Sequence, residues 1–188
     1  LMETYGIIKL EYFKNITKIG VSNDASFGLN KDGILYMFGS NNHGLLGMDD
    51  IDCDSSYLGK LCKVNITNID TFDIGAYHVC FKTKDNKLYA FGDNGEGQCG
   101  SDSSETIHKP ILSDINNMDS NDIITDIKCG YDFTIIKVNY NKYYGAGCNE
   151  KYELLSSDLD KKVYPFQRML LQNINHIINH SKIIDIIP

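Results

Sequence analysis

The chain has 188 residues, a formal net charge of −7, and hydrophobic and charged fractions of 42% and 23%, values that suit one globular domain with a sizeable core. Only 18 Lys and Arg stand against 25 Asp and Glu, the basic residues are scattered, and Arg168 is the lone arginine, so a surface for nucleic-acid phosphates is not expected. No apolar run is long enough to form a transmembrane helix, and the charged opening LMETYGIIKLEYFKN lacks a secretory cleavage pattern.

In chain order, YGIIKLEYF before Ile16 reads as a strand closing a preceding unit. Ile16 to Gly47 then opens a pattern that recurs without gaps at Ile69 to Gly100 and at Ile124 to Leu155. Gly39, Gly92 and Gly147 occupy one position of it, and Asn41, Asn94 and Asn149 come two residues later. Tyr36, Tyr89 and Tyr144 precede the glycine by three, while Ser22, Gly75 and Gly130 share an earlier slot. Gly44 and Gly97 match, as do Gly47 and Gly100, but the third copy has Tyr152 and Leu155 there. If those positions require positive φ, the third loop must take another path or carry strain.

Each unit predicts four short strands. One runs into the Ser22, Gly75 or Gly130 slot, and a second begins three residues later, as at His78. Next comes a tight turn at Asp32-Gly33 or Asp85-Asn86, and a third strand ends at the shared glycine. A fourth, such as Lys109 to Ile115, comes after a loop. Four strands per unit of this length are the signature of a propeller blade. SKIIDIIP at the C-terminus resembles the opening strand of a fourth unit, so the chain is expected to start and stop within blades. Three such blades do not close a ring, and further blades are expected to pack on them in the same molecule.

The repeated residues resemble the RCC1 repeat (regulator of chromosome condensation 1), whose unit runs G-x-x-H, a hairpin, then W-G-x-N-x-x-G-Q-L-G. The second unit carries Gly75-Ala-Tyr-His78 and Phe91-Gly92-Asp-Asn94-Gly-Glu-Gly97-Gln98-Cys99-Gly100, and the first carries Phe38-Gly39-Ser-Asn41-Asn-His-Gly44-Leu-Leu46-Gly47. Phe38, Phe91 and Ala146 replace the tryptophan, and the histidine slot holds Ala25, His78 and Phe133. The resemblance implies an all-β chain: an RCC1-like β-propeller fragment of three four-stranded antiparallel blades plus flanking part-blades. The expected organisation is one repeat domain over 1–188, with units at about 16–68, 69–123 and 124–176 and part-blades at 1–15 and 177–188.

Read alone, Gly95-Glu-Gly97-Gln-Cys-Gly100 spells a dinucleotide-binding loop. The segment after Gly100 has no helical periodicity and contains Pro110, and Gly95 aligns with Asn42, so the glycines are expected to serve turns and no cofactor is expected. Cys53, Cys62, Cys80, Cys99, Cys129 and Cys148 have no zinc spacing and fall mostly at apolar positions, so no metal is expected, and free thiols in a reducing compartment are. The sequons at Asn15, Asn65 and Asn179 are expected by chance in an Asn-rich chain. No Ser/His/Asp set or carboxylate pair supports catalysis.

The resemblance also implies that the G-x-x-H loops lie on one propeller face and contact a protein. The matching residues are Asp24, Tyr77, His78 and Asp132. The alternative for His78 is a bond to a neighbouring blade's backbone, and for the aspartates ordinary turn chemistry. The expected function is a protein-interaction scaffold in the cytoplasm or nucleus. One version is a guanine-nucleotide exchange factor for a Ran-type small GTPase, which needs no catalytic side chain. The alternative is an accessory propeller module of a larger ligase, kinase or signalling protein.

Overall fold

The structure, a computed structural model, describes residues 15–48, 61–155 and 161–169. Within them the chain is all β, as expected, and no helix occurs. Four strands form the first sheet: β1 (Ile16–Val21), β2 (Ala25–Asn30), β3 (Leu35–Gly39) and β4 (Cys62–Lys63). The second holds β5 (Ile69–Ile74), β6 (His78–Thr83), β7 (Leu88–Gly92) and β8 (Ile107–Leu112). The third holds β9 (Ile124–Cys129), β10 (Phe133–Val138), β11 (Lys142–Cys148) and β12 (Lys162–Arg168). Every sheet is an antiparallel meander in sequence order. The strands expected before Ile16 and after Ser181 lie outside the described residues.

Equivalent residues hold equivalent places in each sheet. Ala25 pairs with Gly39, His78 with Gly92, and Phe133 with Gly147. The first strand shifts register near its start in all three, at Ile16–Lys18, at Ile69–Thr71 and opposite Lys137–Val138. Because the strands alternate direction, the β1–β2, β5–β6 and β9–β10 loops share one end of their sheets with the loops after β3, β7 and β11. The tight hairpins occupy the other end, where Gly33 and Asn86 supply the positive φ that the turns demand.

The sheets pack side by side through their first strands. Lys18 of β1 donates to the Thr71 hydroxyl at 3.0 Å and lies over the Phe72 ring. At the next junction the Cys129 amide donates to the Asp73 carboxylate at 2.8 Å, and Lys82 donates to the Ile124 carbonyl while pairing with Asp70. The hairpins add a second tie. Ile69 N–H donates to the Gly33 carbonyl, and Asn86 bonds both the Asp122 carbonyl and the Ile124 amide. A continuous apolar core runs through all three sheets, with Phe27, Met37, Phe72, Phe81, Phe91, Tyr144 and Phe166 among its large members. A blade flanked on both sides buries both faces, which is why the HVCFKT strand is almost wholly buried and does not alternate.

Candidate functional site

The end of the sheets that carries the G-x-x-H loops is built from three superimposable loop pairs. In the loop after the third strand, the asparagine side chain accepts a backbone N–H five residues on. Asn41 takes Leu46 N–H at 2.7 Å, Asn94 takes Cys99 N–H at 2.9 Å, and Asn149 takes Leu154 N–H at 3.1 Å. Two consecutive turns come next, bonded from Gly44 to Asn41 and Gly47 to Gly44, and likewise from Gly97 to Asn94 and Gly100 to Gly97. The third loop repeats both bonds with Tyr152 and Leu155 as donors. Tyr152 and Leu155 hold φ of 63° and 45°, so the loop keeps its path and carries strain at two non-glycine residues.

The glycine that ends each third strand brings the two loops together. A Cβ on Gly39, Gly92 or Gly147 would fall 2.3, 2.4 or 2.5 Å from the carbonyl oxygen of Asp24, Tyr77 or Asp132 respectively. Those are three of the residues expected to meet a partner, and the shared glycine sets the height at which their backbone stands.

The G-x-x-H motif has a steric origin. The His78 ring folds back over Gly75, so that a Cβ there would sit 2.2 Å from His78 Cε1. Phe133 covers Gly130 in the same way, at 2.3 Å. The first unit has neither ring: Ala25 fills the ring slot, Ser22 replaces the glycine, and the Ser22 hydroxyl bonds the Ala25 backbone instead. Ring with glycine and methyl with serine are therefore two solutions to one packing problem.

His78 thus lies beneath the face rather than on it, because its fully buried ring is committed to the junction between the second and third sheets. Its Nε2 lies 2.8 Å from Thr134 Oγ1, and that hydroxyl donates to the Gln98 carbonyl at 2.9 Å. With the hydroxyl proton so used, Nε2–H must be the donor of the first bond, which leaves Nδ1 unprotonated. Nδ1 is buried without a hydrogen-bond partner. Desolvation lowers the His78 pKa to about 4 despite the nearby Asp93 carboxylate.

The other expected residues reach the surface. Asp24 is exposed, and Tyr77 and Asp132 are partly exposed. Tyr77 joins two rings that sequence reasoning did not single out. The His43 ring centroid lies 4.1 Å from that of Tyr77, and Tyr131 meets Tyr77 edge-on at 6.1 Å. This row runs from the first sheet to the third. Beside it, Asp132 is raised above the usual carboxylate range by partial burial and then by Glu96, with Glu153 and Asp93 adding to the repulsion. Tyr131 is pushed up by Tyr77 and by Asp132. Lys162 of β12 offsets part of the acidity by pairing with Glu96 at 3.1 Å. His43 and Glu96 share one repeat position, one residue before the turn glycine, which was the signal available for finding them.

The spelling of a nucleotide loop resolves into two turns. Gly97 and Gly100 have φ of 83° and 74°, whereas a Cβ on Gly95 would meet only Asp93 Oδ1 at 3.5 Å. The segment after Gly100 runs into β8 rather than a helix, so it lacks the helix N-terminus that a dinucleotide fingerprint uses. Cys80, Cys99 and Cys129 are free thiols whose pKa values burial pushes up, which leaves them as packing residues. Among the described residues no group of His, Cys, Asp and Glu is arranged to hold a metal ion.

Residues 85–136 match the sequence pattern of the Regulator of chromosome condensation (RCC1) repeat, and residues 69–98 match a second form of it. Residues 69–136 therefore carry RCC1 repeats. Among relatives with RCC1 repeats, the mouse serine/threonine-protein kinase Nek9 is 26% identical over 138 residues, covering 73% of this chain and 14% of the kinase. Two solved RCC1-like structures share the fold. Human WBSCR16 superimposes with a TM-score of 0.73 at 16% identity, covering 82% of this chain and 39% of that one. Prp20p from Saccharomyces cerevisiae, studied together with its binding to Gsp1p and histones, gives 0.67 at 21% identity, covering 83% of this chain and 39% of that one. The RCC1-repeat segment therefore corresponds to a minor part of each of these proteins.

Proposed function

We propose that this chain is a blade-forming segment of a protein-binding RCC1-repeat propeller, and that the end bearing Asp24, Tyr77 and Asp132 takes the partner. The observation that carries the reading is the His43–Tyr77–Tyr131 row, which crosses all three sheets beside Asp132 and Glu96. Aromatic rings supply contact area at low entropic cost, and a border of acids steers a basic partner surface toward them. His78 supports this surface from below by holding the second and third sheets in register. Among the described residues, Cys80, Cys99, Cys129 and Cys148 carry no disulfide, which agrees with a reducing compartment, the cytoplasm or nucleus.

The finer form of the proposal is guanine-nucleotide exchange on a Ran-type small GTPase. The propeller binds the nucleotide-free GTPase and by linkage weakens nucleotide binding, with no catalytic side chain needed. In the test, the whole protein is mixed with the GTPase carrying labelled GDP. Accelerated release that falls at least tenfold in Asp132→Ala is expected. No acceleration by the wild type sinks the exchange version. The second reading, an accessory propeller in a larger protein, draws on Nek9, a kinase of which this chain matches only 14%. It predicts a propeller that binds a partner of its own host protein and leaves GDP release untouched.

A further inference from the structure

The loops that carry the turn glycines do more than reverse the chain: each is a socket for the outermost strand of the next sheet. A Cβ on Gly44 would sit 3.0 Å from the Ile107 carbonyl of β8 and 3.0 Å from Thr106. A Cβ on Gly97 would sit 2.9 Å from the Tyr164 ring of β12, and one on Gly100 would sit 2.5 Å from the Phe166 ring. At both junctions the neighbouring outer strand thus lies where a side chain would otherwise be.

The third loop has the same backbone and no such vacancy. Tyr152 and Leu155 keep the left-handed φ and the turn hydrogen bonds of their glycine counterparts, so the loop has not moved aside to accommodate its side chains. The inner half of the third sheet repeats, in sequence, two residues that join the second sheet to the third. Lys137 occupies the repeat position of Lys82, which bonds the first strand of the next sheet. Asn141 shares the sequence position of Asn86, which clamps the incoming chain at the hairpin end, while in the third hairpin the positive φ passes to Asn139.

We infer that a blade packed beyond the third is seated through its inner strand only, and that Tyr152 and Leu155 keep its outermost strand out of the loop, leaving an open outer seam. The kind of neighbour this face fits is a blade whose fourth strand is short or displaced outward. Tyr152 then stands free at the same end of the propeller as Tyr77 and Tyr131. The inference concerns packing and does not rest on the proposed exchange activity.

The test uses the whole protein and two readouts. The first is tyrosine footprinting with tetranitromethane, read by mass spectrometry, with Tyr140 at 95% exposed and Tyr144 at 1% exposed as internal standards. Tyr152 is expected to react at a rate close to that of Tyr140. Protection of Tyr152 to the level of Tyr144 overturns the inference. The second readout is a reciprocal swap, read by thermal unfolding. Tyr152→Gly is expected to raise the Tm by relieving the left-handed tyrosine, and Gly97→Tyr to lower it by several degrees or prevent folding. A fall in Tm for Tyr152→Gly means that the ring is packed against a neighbour, and that result also overturns the inference.

Discussion

His78 is held neutral by its surroundings. Its ring is fully buried, Nε2 donates to Thr134, and Nδ1 faces no donor or acceptor, so protonation adds a charge that nothing compensates. The unfolded chain takes up the proton near pH 6.5 and the folded chain only near 4. Stability is therefore full above about pH 6.5 and falls as the pH drops toward 4, because the unfolded state binds more protons across that window. A shift of this size is worth about 3 kcal/mol at most. The third sheet supplies the control, since Phe133 occupies the same slot over Gly130. His78→Phe is expected to flatten the fall in Tm between pH 7 and pH 4.5 at similar stability near pH 7. An unchanged slope assigns the acid sensitivity to other groups. The sequence displayed the pairing of Gly with His or Phe and of Ser with Ala, but it did not say that the ring folds inward over the glycine. G-x-x-H therefore counted His78 among surface candidates, while the backbone geometry makes it a support.

The loop after the third strand was legible as an element because its glycines and asparagine recur at fixed offsets. Its chemistry was only half legible. Spacing marked Gly39, Gly92, Gly97 and Gly100 alike, yet they do different work: two bring loops into contact and two make room for the next sheet. A pair of substitutions within one loop separates essential glycines from incidental ones. Gly92→Ala puts a methyl 2.4 Å from the Tyr77 carbonyl at φ of 106°, so a loss of several kcal/mol is expected. Gly95→Ala meets only the end of the Asp93 side chain, and a change within about 0.5 kcal/mol is expected. Chemical denaturation of the two variants reads both, and equal losses contradict the assignment. Tyr152 and Leu155 were legible as a departure, but not its outcome. Strain or a rerouted loop were equally consistent with the sequence, and the retained hydrogen bonds decided for strain.

At the scale of the molecule, the three sheets give different accounts of one repeat position. Phe72 and Ile127 occupy it in the second and third sheets and are buried at 1% and 2% exposure, while Ile19 in the first is 77% exposed and Val21 beside it is 72% exposed. The neighbouring residue on β1 faces the other way, since a Cβ on Gly20 would meet Phe72 and Ile74 of the second sheet. Ile19 and Val21 therefore point away from the second sheet, toward the side on which a preceding blade would stand. What covers Phe72 is the inner strand of the sheet before it, through Gly20 and the Lys18 stem. The same chemistry at Ile19 asks for another blade with a small residue opposite, and burying an isoleucine side chain there contributes about 2–3 kcal/mol. Opposite outcomes are expected in two contexts. In the whole protein, Ile19→Ser lowers the Tm, as loss of a buried isoleucine should. In the 188-residue segment alone, Ile19→Ser with Val21→Ser instead reduces self-association in sedimentation, because the exposed face has lost its apolar contacts. An unchanged Tm for Ile19→Ser in the whole protein means that no blade covers this face, and the reading of the segment as one arc of a larger propeller then fails.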